Sequence, residues 1–352
     1  MAEEMLRFEA VSKHYGAVVA LDTIDLRVEK GEFLTLLGPS GSGKTTLLNV
    51  IAGTVAPTSG RLRLDGRDVT DLPSNQRHLG MVFQNYALFP HMTIFENIAF
   101  PMRVRRIGEA EIRRKVAEAL ELVRLPDVGP RRPRELSGGQ QQRIAIARCL
   151  VYNPNLILMD EPLGALDKKL RDQMQLEIKR LHTSLGVTIL YVTHDQEEAL
   201  VMSDRICLMN RGRVEQLGRP HELYFRPRTV FAADFLGDSN ILDAVVQGAE
   251  LRAIGELVSP APPGLASGTR TKIMIRPESL RVLDGGEGAP CTVHGTLEDV
   301  IFVGGLTKFR VRVAEQIVLI ATRLTAVNDA ASATGMPVRL GWSPSAIVVL
   351  AT

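Results

Sequence analysis

Phe33-Leu34-Thr35-Leu36-Leu37-Gly38-Pro39-Ser40-Gly41-Ser42-Gly43-Lys44-Thr45-Thr46-Leu47-Leu48-Asn49-Val50-Ile51-Ala52 divides into three parts. Residues 33–37 form a short apolar run of the kind buried on both faces inside a parallel sheet. Residues 46–52 continue as a helical run without a breaker. Between them, Gly38 to Thr45 matches G-x-x-x-x-G-K-[ST] in full, with the strand before it and the helix after it that the motif requires. Its glycines let backbone N–H groups close around phosphate oxygens, and the helix start adds partial positive charge. Lys44 is expected to reach the β- and γ-phosphates of a nucleotide. The Thr45 hydroxyl is expected to bind Mg²⁺, and Gly38, Ser40, Gly41, Ser42, Gly43 and Thr46 complete the cradle.

A phosphate-binding loop needs a carboxylate on the magnesium side. Leu156-Ile157-Leu158-Met159 is a second buried-strand run, and it ends in Asp160-Glu161. Acidic residues at the carboxyl end of a parallel strand lie in the crevice where open α/β sheets bind ligands. By itself the pair reads equally well as a turn cap before Pro162. Beside the phosphate loop, Asp160 is expected to hold Mg²⁺ and Glu161 to orient and polarise an attacking water.

The remaining organisation follows from texture. Thr188 to Val192 is a third buried strand. Leu6 to Val11, Leu21 to Val28 and Arg61 to Gly66 alternate as half-exposed strands do. Residues from about 90 to 150 are mostly helical, with runs over Glu109 to Val123 and from Gln140 to Leu150 separated by the proline-rich stretch Pro126 to Pro133. Arg103, Arg105, Arg106, Arg113 and Arg114, interleaved with Glu109, Glu111 and Glu118, read first as a solvated helix face and second as a docking surface. Past Gly237, helical spacing gives way to short strands at 241–246, 271–275, 292–302, 308–313, 317–321, 338–340 and 346–350, punctuated at Pro260 to Gly264 and Gly285 to Gly288. This predicts a small β-barrel, with the boundary at Gly237 to Asn240.

Composition sets limits. Of 352 residues, 45% are hydrophobic and 23% charged, which excludes disordered, collagenous and disulfide-scaffold classes. No apolar run approaches the ~18–20 residues of a membrane-spanning helix. The start Met1-Ala2-Glu3-Glu4 carries no secretory signal pattern. Cys149, Cys207 and Cys291 fit neither a disulfide framework nor a zinc site, and suit a reducing cytoplasm. Lys+Arg 42 against Asp+Glu 40 gives no charge argument for nucleic acid.

Leu136-Ser137-Gly138-Gly139-Gln140 narrows the reading. Ser137 is a good N-cap, and the two glycines expose the N–H groups of a helix start. The pentapeptide is also the signature of ATP-binding-cassette ATPases, and the chain resembles that family over residues 5 to about 236, with further motifs in the same order. Tyr15, in His14-Tyr15-Gly16, resembles the aromatic that stacks on adenine. Gln84, in Val82-Phe83-Gln84-Asn85-Tyr86, resembles the Q-loop glutamine that reaches Mg²⁺ and the attacking water. Leu166-Asp167 resembles the D-loop, and His194, in Val192-Thr193-His194-Asp195, the switch histidine that contacts the γ-phosphate. Taken singly, Tyr15 reads as an ordinary half-buried aromatic and His194 as a satisfied strand-end histidine.

The resemblance implies an α/β P-loop ATPase over residues 1–236, with an antiparallel β subdomain and a helical subdomain. ATP and Mg²⁺ are its cofactors; Lys44, Gln84, Glu161 and His194 are catalytic; Thr45, Gln84 and Asp160 lie on the metal. It also implies a second copy of the chain: Ser137, Gly138, Gly139, Gln140 and Asp167 of one subunit close on the nucleotide held by Lys44 of the other. The phosphate loop and signature lie about 90 residues apart, too short for a coiled-coil arm of the DNA-acting members. A single cassette argues against the ribosomal members. Residues 240–352, with Ile275-Arg276-Pro277-Glu278-Ser279-Leu280, resemble the oligonucleotide/oligosaccharide-binding-like (TOBE-type) barrel of importer ATPases, a dimerisation or regulatory module. The apolar stretch Gln84 to Phe100 offers a groove for a partner helix, or else packs the helical subdomain.

The implied machine is therefore peripheral to the cytoplasmic face of the inner membrane. Its partners are two transmembrane permease subunits and, indirectly, an extracytoplasmic binding protein, with no nucleic acid. Similarity is greatest to the ATPases of spermidine/putrescine importers. Iron, thiamine, opine and sugar importers are alternatives, and a soluble cassette without transport function is the reading from another class.

Overall fold

The computed structural model describes residues 3–253, 256–261, 264–283, 287–326 and 334–351. Met1 and Ala2, Pro262 and Pro263, and the start of the Gly285 to Gly288 break lie outside them. The chain forms two compact units, 1–220 and 221–352.

The first unit opens with β1 (Glu4–Tyr15), β2 (Val18–Glu29) and β3 (Phe33–Leu37), then α1 (Lys44–Ala52), β4 (Ser59–Leu64), β5 (Arg67–Asp68) and β6 (Gly80–Val82). Three helices follow, α2 (Ile94–Val104), α3 (Glu109–Leu122) and α4 (Gly138–Leu150). After them come β7 (Leu156–Asp160), α5 (Lys168–Leu185), β8 (Thr188–Thr193), α6 (Gln196–Met202), β9 (Arg205–Asn210) and β10 (Arg213–Gly218).

Among the described residues, two sheets organise this unit. A six-stranded sheet runs β10-β9-β3-β8-β7-β6, parallel except for β10. The alternating strands β2-β1-β4-β5 form an antiparallel four-stranded sheet. The strands read as buried on both faces are so: every residue of β3 and of β8 is buried. One core cluster, with Phe8, Leu26, Leu36, Leu48 and Leu62, joins the two sheets across α1. A separate cluster built on Ile98, Met102, Val116, Leu120 and Ile144 makes the helical subdomain. Its arginines behave as a solvated face: Arg103 pairs with Glu109, Arg114 with Glu118, and Arg105 lies over the Tyr152 ring.

The second unit takes in α7 (Pro220–Phe225) from His221 onward and α8 (Val230–Phe235), so it begins before the expected boundary at Gly237 to Asn240. The physical reason is Arg276, which ties both helices to the strands. Its guanidinium is 2% exposed and donates to the carbonyls of Tyr224, Ala233, Gly237 and Asp238. The strands are β11 (Asn240–Gln247), β12 (Glu250–Ala253), β13 (Glu256–Pro260), β14 (Arg270–Ile275), β15 (Arg281–Leu283), β16 (Cys291–Val303), β17 (Leu306–Ala314), β18 (Ile317–Leu324), β19 (Pro337–Trp342) and β20 (Ile347–Leu350). They form two five-stranded antiparallel sheets, β13-β12-β11-β14-β20 and β15-β19-β16-β17-β18. Leu242, Val246 and Ile273 of one meet Val293, Phe309 and Trp342 of the other in a single core. No helix among the described residues is long and apolar enough to cross a membrane.

Candidate functional site: a nucleotide site at the strand ends

Strand register brings the candidate residues of the core to one edge. Leu37 pairs with Thr193, Asp160 with Val192, and Val82 with Met159. The segments leaving these strands carry the phosphate loop, Glu161, His194 and Gln84. They therefore emerge side by side at the carboxyl ends of the parallel strands, where such sheets place ligands.

The phosphate loop has a backbone that only its own sequence tolerates. Gly38 has φ +156, and a Cβ there would come within 2.3 Å of the Met209 carbonyl oxygen. Gly43 caps α1 at φ +101, and its Cβ would meet the Ala20 carbonyl at 2.7 Å. No side chain caps α1 and no acidic residue lies in its first turn, so its N–H groups point into the loop free for an anion. Lys44 is 6% exposed and folds back to donate to the carbonyls of Gly38 (2.7 Å) and Pro39 (2.9 Å). Burial lowers its pKa, while Glu161 and Asp160 act in the opposite direction. The Ser42 hydroxyl is buried and has no hydrogen-bond partner among the described residues. A buried cation, an orphaned hydroxyl and an uncapped helix start together fit a polyphosphate.

On the facing strands, burial and then Glu161 raise the Asp160 pKa, against the pull of Lys44. Two adjacent carboxylates under-compensated by one lysine call for a further cation. The available donors are hard oxygens, from Asp160, the exposed Thr45 hydroxyl and the Gln84 amide. Among the described residues there is no group of three or more His, Cys, Asp or Glu that would form a self-sufficient metal cage. Such a sparse donor set suits Mg²⁺, which usually keeps waters and takes ligands from substrate phosphates.

Glu161 leaves β7 at φ +44, its N–H still donating to the Val192 carbonyl at 3.0 Å. Its Oε1 lies 3.1 Å from Nδ1 of His194. A Cβ on Gly164 would stand 3.7 Å from Gln84 Nε2, so the Q-loop glutamine borders the turn that follows Glu161. Tyr15 is 49% exposed at the end of β1, opposite Val18 of β2, with Lys13 Nζ 4.9 Å from its ring centroid. Its half-exposed ring therefore stands on a different sheet from the Glu161–His194 pair.

The signature turn is capped as read. Ser137 Oγ accepts from Gln140 N–H (3.4 Å) and Gln140 Oε1 from Ser137 N–H (2.9 Å). The helix begins at Gly138, two residues before the expected start. Its glycines also serve packing: Cβ atoms on Gly138 and Gly139 would lie 3.2 Å from Leu166 and 3.0 Å from Leu170. The D-loop therefore rests directly on the signature turn, and Asp167 Oδ1 caps α5 by accepting from Leu170 N–H.

Sequence reasoning missed two groups here. Arg148 of α4 donates to the carbonyls of Tyr86 (2.8 Å) and Ala87 (2.7 Å), which have φ +58 and +47 just after Gln84. Asn97, fully buried in α2, closes the same segment by bonding the Phe89 N–H and the carbonyls of Phe89 and Thr93. The apolar stretch after Gln84 is accordingly divided. Ile94 and Ile98 pack the helical core, while Phe83 and Phe100 stay about two-fifths exposed, at 43% and 38%.

The ABC transporter family profile matches residues 21–164, and the TOBE domain profile residues 273–350. The chain is 50% identical to the spermidine/putrescine import ATP-binding protein of Acidothermus cellulolyticus over 95% of this chain and 89% of that one. It is 46% identical to the protein of the same name from Thermobifida fusca, over 98% and 93%. Among solved structures, a dimeric post-hydrolysis ATP-binding cassette bound to ADP and Pi is 35% identical with a TM-score of 0.55. It covers 61% of this chain and 99% of its own. The cassette cbiO1 of Clostridium perfringens, part of an ABC transporter complex, is 29% identical with a TM-score of 0.60, over 66% and 93%.

Proposed function

The chain belongs to the ATP-binding-cassette family of transporter ATPases, and from that membership we propose that it is the ATP-hydrolysing subunit of a polyamine importer of the spermidine/putrescine class. The observation that carries the reaction is the 3.1 Å contact between His194 and Glu161 beside the phosphate loop. The names of relatives matched along nearly their whole length support the cargo.

In this reading Lys44 leaves its two loop carbonyls for the β- and γ-phosphates, and the uncapped N–H groups of α1 bind the remaining oxygens. Mg²⁺, when bound, offsets charge on the phosphate oxygens, with Thr45, Asp160 and Gln84 as its protein side. Glu161 orients the water that attacks the γ-phosphorus, polarises it and takes up the proton it sheds. The bond to the β–γ bridging oxygen breaks, its electron pair leaves with ADP, and His194 holds Glu161 and the γ-phosphate in line.

A second copy completes each site, presenting Ser137, Gly138, Gly139 and Gln140 to the γ-phosphate, with Asp167 at the seam. The dimeric cassette bound to ADP and Pi supports this arrangement. Tyr15 stacks on the adenine. The exposed Phe83, next to Gln84, and the exposed Phe100, packed on Phe89, suit a helix from one of two permease subunits, and the ATPase then works at the cytoplasmic face of the membrane. An extracytoplasmic binding protein delivers the cargo to the permeases.

The test is uptake of labelled spermidine and putrescine in the host with the chain deleted, then complemented with wild type or Glu161→Gln. Uptake restored by wild type alone is the expected result. Normal polyamine uptake with loss of iron, thiamine, opine or sugar uptake would replace the cargo. No transport defect at all would overturn the importer reading.

A further inference from the structure

Arg171, in the first turn of α5, holds two loops with one guanidinium. Its Nη2 donates to the carbonyl of Leu166, in the D-loop, at 3.1 Å. Its Nη1 donates to Oδ2 of Asp195, immediately after His194, at 3.0 Å. The other oxygen of Asp195 accepts from Glu197 N–H (2.8 Å) and Glu198 N–H (3.2 Å), and the Asp195 N–H donates to Thr193 Oγ1 at 3.0 Å. Thr193 in turn donates to Glu198 Oε2 at 2.8 Å, as does Tyr191. His194 is exposed, yet both its neighbours in the chain are fixed, so the point from which its ring reaches Glu161 is held on either side.

The third nitrogen of the same guanidinium has an ion pair but no hydrogen bond. Arg171 Nε is buried and has no hydrogen-bond partner among the described residues, yet it stands 3.9 Å from Oε1 of Glu198, a residue 2% exposed. A movement of about 1 Å would bring that pair to hydrogen-bond distance. A buried donor left open beside a buried carboxylate gives the fork a second place to bind if the Leu166 carbonyl moves away. Leu166 itself packs against the signature turn of α4.

We propose that Arg171 is a positioning residue which transmits the placement of the D-loop to His194, and through His194 to Glu161. The inference rests on the ATPase reading above. It acts within one chain: when the Leu166 carbonyl is in place, the fork holds Asp195 and His194 meets Glu161; when it withdraws, the fork turns toward Glu198 and His194 loses its aim.

Arg171→Lys in the full-length protein is the informative variant, because a single ammonium keeps a cation beside Asp195 and Glu198 but lacks the fixed fork that reaches both loops. Its kcat is expected to fall by about tenfold or more, with ATP affinity within about twofold of wild type and the melting temperature little changed. In a cycle with His194→Ala, read by single-turnover hydrolysis, Arg171→Lys should cost less than about twofold once His194 is gone. The same proportional loss in both backgrounds, a loss accounted for by lower ATP affinity or stability, or no loss at all, would overturn the proposal. Wild type and Glu161→Gln are run alongside. Absence of wild-type hydrolysis would overturn the ATPase reading and the inference with it, whereas independent effects in an active enzyme overturn only the inference.

Discussion

Nδ1 of His194 lies 3.1 Å from Oε1 of Glu161 because of a ladder position, not a long-range accident. Asp160 is the last residue of β7 in register with Val192 of β8, and the Glu161 N–H adds one more bond to the Val192 carbonyl. Glu161 then turns to φ +44, a left-handed conformation that costs a non-glycine residue about 1–2 kcal/mol. The ladder on one side and the Gly164 N–H on its carbonyl at 3.2 Å hold it there. Strain of this kind is sustained where the surrounding structure over-determines it.

Glu161→Gln keeps the shape and the turn while removing the carboxylate to which the proposed mechanism gives the polarising of water. ATP affinity is expected to stay within about twofold, while turnover falls by roughly 10²–10⁴-fold, the range for loss of a positioned base. Nucleotide binding by fluorescence and steady-state phosphate release check the two halves. Turnover near that of wild type would remove Glu161 from the mechanism.

Asp160 carries a stability cost at its place beside Glu161. Burial and Glu161 raise its folded pKa above the ordinary 3.8, so the charged form is disfavoured in the fold. The cost is present above the folded pKa and fades as pH falls through it toward the unfolded value. Asp160→Asn should therefore raise the melting temperature of the nucleotide-free protein at neutral pH, by about 1–3 °C. The gain should shrink as pH approaches about 4. The same variant should lose the extra stabilisation that Mg²⁺ adds to nucleotide. Thermal scans across pH, with and without Mg²⁺ and nucleotide, test it; a variant less stable than wild type at neutral pH contradicts the sign.

The strands that bear the chemistry were legible because they are short, apolar and bounded by motif residues. Phe33 to Leu37 is β3 to the residue. β6, three residues long, and the two-residue β5 are too short to show a period. The start of α2 was legible in principle: Thr93-Ile94-Phe95-Glu96 is a capping-box pattern, and both of its hydrogen bonds form. The partners of Arg77, Arg148 and Arg276 could not be read in advance, because nearly all of them are main-chain carbonyls, many far away along the chain. Every residue carries such a carbonyl, so the sequence holds no signal for the pairing.

Arg77 closes the far end of the phosphate-loop helix. Its Nη1 donates to the carbonyls of Val50 (2.6 Å) and Ile51 (2.8 Å) in the last turn of α1, and its Nε to Leu72 at 2.8 Å. A cation there also complements the negative end of the helix dipole. Arg77→Ala strands these buried carbonyls and should cost about 2–4 kcal/mol of stability in the first unit. Urea unfolding followed by a probe in that unit measures it, and a loss under about 1 kcal/mol would mean that water replaces the guanidinium.

Arg276 performs the corresponding task in the second unit, with a different consequence. Besides its four carbonyls, its Nη1 donates to Ser239 Oγ at 2.7 Å, its guanidinium lies 4.1 Å from the Tyr224 ring centroid, and the Tyr224 hydroxyl donates to Glu278. Burial lowers the Arg276 pKa, and burial with Glu278 pushes that of Tyr224 up to about 12, so the Tyr224 hydroxyl stays protonated across the neutral range. Arg276→Lys keeps the charge but supplies one point donor where five bonded contacts converge, so α7 and α8 should come loose from the strands. The expected signs are amide exchange accelerated by about a hundredfold over 221–239, equivalent to roughly 3 kcal/mol of lost local protection, with the first unit unchanged. Basal ATP hydrolysis, to which the proposed mechanism assigns only residues of the first unit, should stay within about twofold of wild type. Protection that is retained in the variant would show that the apolar contacts of α8 with Met274 and Leu350, and not the guanidinium, hold these helices to the sheet.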